Sequence, residues 1–464
     1  MRKLTIIILT QIILISSGIS ATLESIDSLK IIVENTESNE KVHALITLSE
    51  AYRNIVFSDC INYGKQAYNL AVNLKNPELE ALTLKSLGTS NYYTGYLDTA
   101  FYYFHASLDI YKETGNKPGQ AKLLNNIGLI YEERAEFNKA KDMYNQSLEL
   151  EEKIGNSEGV GVSLIQIGNI CYYSKNYYDA LENYFLAAST FTEINNTDGI
   201  AYSYNSIGII YAKLGKYIEA VSYYEKSISL FTKSDNKRAL SQTLTNLGEL
   251  YNYQYKDYKK ALSVYNKALQ LKKSQNDKIG IALLNNNLGT LYINMEDYIN
   301  ANEHLQYSLE LYEDLNSHNG IVMVYYNLGH MYQIFDSIEK AIYYFKESLY
   351  QAKIDGQVEY IEKSQESLLH CFALTCNYDE FQNYFRLYKF TKDTLIEKLN
   401  EFKLSKLEIE HQIAENIEKN NQLEQDNKIK ERELSRYKFI LMIISGLIII
   451  VLFVYLLFLK SRKK

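Results

Sequence analysis

Residues 207–224 read IGIIYAKLGKYIEAVSYY, and this stretch decides the fold. Its first five residues place an apolar side chain and Tyr211 four positions apart on one helical face, with Gly208 between them. Ala220 follows the glycine by twelve residues, and Tyr224 follows that alanine by four. A small residue in each of two helices lets the helices approach closely, and an aromatic ring fills the remaining space. The stretch therefore predicts a pair of packed helices.

The same pattern recurs along the chain at an almost constant period. A glycine that follows leucine or isoleucine occurs at intervals of 40 residues, with one interval of 41, at Gly88, Gly128, Gly168, Gly208, Gly248, Gly289 and Gly329. The single extra residue is predicted to lie in the turn at 254–259. Asparagines at the same interval, beginning with Asn76, predict the joints, because asparagine tolerates the left-handed conformation that ends a helix. A fixed period of this kind is typical of stacked helical units.

Leu-Gly-x-x-Tyr, then a small residue and an aromatic one, resembles the tetratricopeptide repeat. The usual first tryptophan is absent, and the period is 40 rather than 34, so each helix pair is expected to be longer by about one turn. Degenerate copies at 48–67 and 368–385 resemble the capping units of such arrays. The resemblance over residues 41–390 implies an all-α, right-handed α-solenoid of about eight helix pairs, of which the first and last are degenerate.

The two ends of the sequence predict export and a membrane anchor. Residues 1–20 combine a basic start, a short apolar run and small residues before Ala21, as in a cleaved signal peptide; a retained anchor is the alternative. Residues 439–459 carry no charge and are long enough to cross a bilayer, so 438–459 is predicted as a transmembrane helix rather than a buried soluble one. The basic residues 460–464 would then form a cytoplasmic tail, with the repeats on the periplasmic or extracytoplasmic side.

Two further segments flank the repeats. Residues 21–40 are an N-terminal lead-in. Residues 391–437 lose glycine and proline, become charged, and keep apolar residues at alternating spacings of four and three. This pattern predicts a helical stalk that is either a coiled coil, through which the chain could form a homodimer, or a single stiff helix.

Composition excludes several classes of function. The net charge is −7 and no broad basic face is present, so nucleic acid is not expected as a partner. The four cysteines and seven histidines are scattered and form neither a C-x-x-C nor an H-E-x-x-H motif, so no metal or other cofactor is predicted. No nucleophile, base and orienting group occur together, which argues against an enzyme. Cys371 and Cys376 are close enough in sequence to pair in an oxidising compartment, and the sequence leaves both states open.

The resemblance implies that the first helix of each pair lines a concave groove that holds extended peptides. The candidate groove residues flank the Leu-Gly steps: Asn125, Asn126, Glu132, Asn169, Tyr172, Tyr173, Asn205, Asn246, Tyr253, Asn286, Asn287 and Asn327. Amides can donate to and accept from a peptide backbone, and tyrosine supplies rigid contact area. The alternative is that the asparagines bond between repeats and the tyrosines pack locally. The family's carboxylate clamp is incomplete, because Lys85 and Lys122 are isolated.

Two classes of function follow from these features. The first is a non-catalytic, membrane-anchored scaffold that captures a protein or peptide partner in the groove. The second arises because repeats, a charged helix and one membrane span resemble the sensor half of bacterial histidine kinases or transcriptional regulators. In that case the chain would act in signal transduction through an output domain on a separate protein.

Overall fold

The computed structural model describes residues 23–53, 55–394 and 396, and these residues form helices joined by short connections. The helices are α1 (Leu23–Asn35), α2 (Ser38–Tyr52), α3 (Phe57–Asn73), α4 (Pro77–Tyr93), α5 (Leu97–Glu113), α6 (Lys117–Glu133), α7 (Phe137–Ile154), α8 (Ser157–Tyr173), α9 (Tyr177–Glu193), α10 (Thr197–Lys213), α11 (Tyr217–Lys233), α12 (Lys237–Leu250), α13 (Tyr258–Ser274), α14 (Lys278–Asn294), α15 (Tyr298–Asp314), α16 (His318–Ile334), α17 (Ile338–Ile354) and α18 (Val358–Leu374). A further helix covers 378–394. A π-helical turn, Tyr251–Tyr255, follows α12.

The helices fall into two compact units whose boundary lies between Gly320 and Ile321. The first unit holds α1, the seven pairs from α2–α3 to α14–α15 and the first three residues of α16. The second unit holds the rest of α16, then α17, and α18 with 378–394. The described residues therefore form nine pairs rather than about eight. Both degenerate ends form a full pair in addition to the seven pairs that contain the recurring glycine.

The first helices of neighbouring pairs contact each other in the first unit, as α4 contacts α6 and α6 contacts α8. The second helices of neighbouring pairs show no comparable contact among the described residues. The first helices therefore lie on the more tightly packed side, which we call the inner face.

The period of 40 has a simple local origin. Most helices have 17 residues and most connections have three, so two helices and two connections make 40 residues. The middle residue of a connection takes the left-handed conformation, as Gly215 does at a φ of 73° and Asn195 at 54°. The next amide then bonds back into the helix, as Asn196 N does to Phe191 O at 2.9 Å.

The predicted role of the joint asparagines is wrong for most of them. Asn76, Asn116, Asn196 and Asn236 have negative φ angles and act as N-caps, because each side chain accepts a bond from the backbone amide three residues later. The left-handed residue is the one before. Asn276 is the exception, with a φ of 52°.

The glycine and aromatic positions confirm the packing that the sequence predicts. A Cβ atom added to Gly208 would lie 2.7 Å from two ring carbons of Tyr224, and Gly128 faces Tyr144 in the same way. Ala220 and Ala140 are fully buried beside these rings. The glycines are thus needed for close approach of the two helices of a pair.

A second aromatic position joins consecutive pairs. Phe191 on α9 is 2% exposed, and its ring faces Gly161 on α8 and Gly199 on α10. One side chain thus fills the space between its own pair and the next. Buried serines add a hydrogen bond inside most pairs, as Ser227 Oγ donates to Ala201 O at 2.8 Å.

The one extra residue of the 41-residue interval widens the end of a helix into a π-helical turn in addition to lengthening the connection. The π-helical turn at Tyr251–Tyr255 absorbs it, and Lys256 follows in the left-handed conformation at a φ of 51°. The equivalent turns of the other described pairs contain no π-helix.

Several predictions lie outside the described residues, namely the signal peptide at 1–20, most of the stalk at 391–437 and the segment at 438–464. Among the helices that the structure describes, none is both long and apolar enough to span a bilayer. Cys371 is buried, Cys376 is exposed, and both are free thiols.

Candidate peptide-binding surface

Three exposed tyrosines occupy the same position in alternate repeats of the inner face. Tyr93, Tyr173 and Tyr253 each follow the recurring glycine by five residues, on α4, on α8 and in the π turn after α12. Their side chains are 66%, 50% and 52% exposed. We call these three residues the tyrosine row. The sequence places all three beside the groove, because each lies just after a Leu-Gly or Ile-Gly step.

Each ring of the tyrosine row is held by a neighbouring repeat. The Arg53 guanidinium lies 5.2 Å from the centre of the Tyr93 ring. Tyr173 stacks on Phe137 at 5.8 Å, and the Tyr253 hydroxyl donates to Thr290 Oγ1 at 3.2 Å. These contacts reduce the side-chain entropy that a ligand would otherwise have to remove.

Several predicted amides bond between repeats, as the alternative interpretation of the sequence expects. Asn246 Nδ2 donates to Asn205 Oδ1 at 3.1 Å, from α12 to α10. Asn287 Nδ2 on α14 lies 3.5 Å from Glu249 Oε1 on α12. Asn125 Nδ2 donates to Ser163 Oγ at 3.4 Å. These amides therefore stabilise the junctions between repeats.

The remaining predicted amides differ in accessibility. Asn286 is only 2% exposed, so it lies beneath the inner face and does not form part of the surface. Asn126 on α6 is half-buried. Asn327 is half-buried on α16, in the second unit, and it interacts with another residue there.

Buried tyrosine hydroxyls reach the inner face from the second helices, a feature that the sequence analysis missed. Tyr184 passes Gly168 and donates to Asn169 Oδ1 at 2.7 Å. Tyr144 passes Gly128 and donates to Glu132 Oε2 at 2.9 Å. The sequence carried a sign of this feature, because the position is tyrosine in four consecutive repeats and phenylalanine or leucine in the repeats on either side. The four tyrosines are Tyr144, Tyr184, Tyr224 and Tyr265, and the flanking residues are Phe104, Leu305 and Phe345.

The tyrosine row borders a pair of carboxylates on α6. Desolvation raises the pKa of Glu132, the bond from Tyr144 opposes this rise, and the charge of Glu133 adds to it. The Tyr92 hydroxyl lies 3.2 Å from Glu133 Oε1, and burial followed by this carboxylate raises the pKa of Tyr92. Burial, then the charge of Glu132, also raises the pKa of Tyr173. The surface across α4, α6 and α8 is thus both aromatic and acidic.

Tyr172 contributes less surface than the tyrosine row. It is half-buried, with its ring 5.5 Å from that of Tyr173 and 6.1 Å from that of Tyr177. Its position favours support of Tyr173 over direct contact with a ligand.

The inner face offers groups for binding and few for reaction. Burial raises the pKa of the Cys171 thiol, which keeps it protonated and weakly nucleophilic. His304 Nδ1 lies 2.8 Å from Asn285 Oδ1, and burial lowers its pKa. Among the described residues, no three of the His, Cys, Asp and Glu side chains are grouped so as to hold a metal ion.

The family model described as tetratricopeptide repeat matches the chain at residues 78–153, 120–188, 159–233, 199–274 and 280–352. Together these matches cover more than half of the sequence. A comparison with curated proteins found no match.

Solved structures with similar folds include three proteins of low sequence identity. The apo form of the quorum sensor NprR from B. thuringiensis is 17% identical with a TM-score of 0.55, over 77% of this chain and 100% of that one. A Rap protein complexed with competence and sporulation factor is 14% identical with a TM-score of 0.53, over 73% and 93%. Aspartyl phosphate phosphatase F from Bacillus subtilis is 13% identical with a TM-score of 0.52, over 77% and 95%. At these identities the likeness shows a shared fold alone.

Proposed function

We propose that this chain, which belongs to the tetratricopeptide repeat family, is a non-catalytic scaffold that captures an extended peptide segment of a partner protein on its inner face. The tyrosine row carries the proposal, because its rings are exposed, held in place and repeated at one position of alternate pairs. Exposed tyrosines of fixed orientation are typical of the residues that dominate binding energy.

The spacing of the tyrosine row fits an extended ligand. Packed helices lie about 8–10 Å apart, so first helices two repeats apart are separated by roughly 20 Å. The row then covers roughly 40 Å, which corresponds to about 12 residues at 3.3 Å each in an extended peptide. The amide bonds between repeats would keep this spacing constant.

The similar structures support a binding role without identifying the ligand. The Rap protein of the same fold was solved in complex with competence and sporulation factor, and NprR is described as a quorum sensor. A helical array of this kind is therefore suited to recognition of another molecule.

We expect the double substitution Tyr173→Ala with Tyr253→Ala to weaken peptide capture at least thirtyfold. Loss of one such residue typically costs about 2 kcal/mol or more, which is roughly a thirtyfold loss of affinity. The measurement is selection of displayed random 15-residue peptides on the full-length chain, followed by titration of the selected peptides against both proteins.

The matched control is Tyr102→Ala with Tyr178→Ala, which removes two tyrosines that are 68% and 77% exposed on the second helices. The control should retain wild-type affinity. Equal losses in both double variants, or unchanged capture in Tyr173→Ala with Tyr253→Ala, would show that the inner face is not the binding surface. We prefer Tyr173→Ala with Tyr253→Ala to the alternative double substitution Tyr172→Ala with Asn205→Ala. Asn205 also bonds to Asn246, so its loss would disturb a junction between repeats as well as the binding surface.

We also propose that 439–459 anchors the chain in a membrane and that the repeats lie outside the cytoplasm. The support is the apolar sequence of this segment together with the signal-like residues 1–20. Protease added to intact spheroplasts should digest the repeats almost completely. Full protection of the repeats, with digestion only after lysis, would contradict this topology.

A receptor role is the second candidate, favoured by the alternating apolar spacing of residues 391–437 next to the predicted span. In that role peptide capture would change how the helical stalks, residues 391–437, of two chains pair, and a separate protein would respond to the change. Neighbouring genes that encode a kinase or a regulator would favour the receptor over a passive scaffold.

A further inference from the structure

We propose that Glu249 and Tyr265 form a subsite on the inner face that takes the cationic side chain of a lysine or arginine in the captured peptide. This inference rests on the proposed function and adds a chemical preference to it. It places the charged contact next to Tyr253, the last member of the tyrosine row.

Glu249 places a partly desolvated carboxylate on the inner face. It directly follows Gly248 on α12, and its side chain is exposed. Within the described residues its hydrogen-bond partner is Asn287, whose Nδ2 lies 3.5 Å from Oε1, at the limit of a hydrogen bond. Desolvation by the surrounding helices raises its pKa, while Lys213 and Asn287 oppose the rise. A carboxylate in this state gains from an additional cation.

Tyr265 supplies a buried hydroxyl that has no partner. The residue is fully buried, and its ring passes Gly248 on its way to the inner face. In the part of the chain that the structure describes, no hydrogen-bond partner lies within reach of this hydroxyl. Burial, and then the nearby groups of Glu249 and Tyr253, raise the pKa of the phenol. A buried hydroxyl without a partner costs free energy, and a group that reached it on peptide binding would recover that cost.

The equivalent pair in another repeat shows what is different here. On α8 and α9, Tyr184 donates to Asn169 Oδ1 at 2.7 Å, and Asn169 directly follows Gly168 as Glu249 follows Gly248. At Tyr265 and Glu249 the corresponding bond is not made. One hydroxyl and one carboxylate oxygen are therefore left for a ligand where the earlier repeat satisfies both groups internally.

The π-helical turn begins two residues after Glu249. Asn252, in this turn, is 1% exposed and accepts a bond from Asn294 Nδ2 at 2.9 Å, but its own Nδ2 has no partner among the described residues. The turn ends the helix in the repeat that carries the extra residue, and Lys256 closes it in the left-handed conformation. The irregular helix end, the unpaired hydroxyl and a carboxylate with one weak hydrogen-bond partner thus coincide in one repeat.

A lysine ammonium has the chemistry to satisfy these groups together. It carries three donors, so it can donate to the Glu249 carboxylate and to the Tyr265 hydroxyl oxygen. The exposed face of Tyr253 can add a cation–π contact. An uncharged side chain of the same length would leave both polar groups without a partner, which weakens binding.

The test compares two synthetic 15-residue peptides that differ at one position, which is lysine in the first peptide and norleucine in the second. Selection on the full-length chain identifies this position. If selection identifies none, the position is the centre of an alanine-rich peptide. The wild-type chain should bind the lysine peptide about tenfold more tightly or better. This ratio should fall to within about twofold in Glu249→Gln. Tyr265→Phe should lower the ratio while the chain stays folded, since Phe104 and Phe345 occupy the same position in other repeats.

Glu219→Gln, at an exposed position on α11, makes the same change of net charge and should keep the wild-type ratio. A ratio near one in the wild-type chain would overturn the subsite, and so would a lysine preference that survives in Glu249→Gln. Either result would leave the proposed function intact if capture still depends on the tyrosine row. Loss of that dependence would instead remove the proposed function.

Discussion

We expect Phe191→Ala to destabilise the middle of the array by about 3–5 kcal/mol, as is typical when a fully buried aromatic ring is removed. The ring is 2% exposed and lies against Gly161 and Gly199, which belong to the first helices of two consecutive pairs. No side chain on either glycine can move in to fill the cavity. The loss therefore falls on the junction between repeats as well as on one pair.

Hydrogen exchange of the full-length chain, combined with urea unfolding, measures this effect. Amides of α8, α9 and α10 should lose protection to a greater extent than those of α2 and α3. Phe185→Ala is the matched control, because Phe185 lies on the same helix and is 40% exposed. A loss in the control that equals the loss in Phe191→Ala would contradict the role assigned to the junction.

We expect Gly208→Leu to cost about 3 kcal/mol by overpacking, even though leucine favours a helix over glycine by up to about 1 kcal/mol. The new Cβ atom would lie 2.7 Å from Cδ1 and Cε1 of Tyr224, so α10 and α11 would have to separate. The separation would also displace Ala220, which is fully buried at the same contact. Thermal unfolding followed by circular dichroism should show an earlier transition.

Lys213→Leu places the same side chain at an exposed position of the same helix and should change stability by no more than about 0.5 kcal/mol. Gly208→Leu at wild-type stability would mean that the recurring glycines are not required for close approach. The packing explanation of the 40-residue pattern would then fail.

The sequence was sufficient to predict the pairs and their contacts. Gly208, Ala220 and Tyr224 recur at fixed spacings because each of them meets the same neighbour in every repeat. The count of about eight pairs was one too low, because the seven copies with the recurring glycine and the two degenerate copies add up to nine, and all nine form pairs. The joint asparagines were placed one residue away from the left-handed position, because asparagine suits both an N-cap and a left-handed turn.

The candidate site was predictable only in part. Exposed tyrosines such as Tyr173 follow from their position relative to the glycine. Whether an amide is free to bind a ligand does not follow from its position. Asn205 could face a ligand or bond to Asn246, and the choice depends on a distance of a few ångströms that the spacing of residues in the sequence does not give. The free hydroxyl of Tyr265 also could not be predicted, since the same residue type at Tyr184 is satisfied. One inserted residue can enlarge a helix or a loop, and the sequence alone does not distinguish the two.

The three-residue connections that join most of the helices make the array modular at the level of the gene. A duplication or deletion of 40 residues in its middle would rejoin equivalent left-handed turns and equivalent helix starts, so the new junction would reproduce the contacts of the old ones. The tyrosine row repeats only every 80 residues, between Tyr93 and Tyr173 and again between Tyr173 and Tyr253. Unequal recombination could therefore lengthen the ligand surface freely in steps of two repeats, whereas a step of one repeat would preserve the fold and put the tyrosines out of phase.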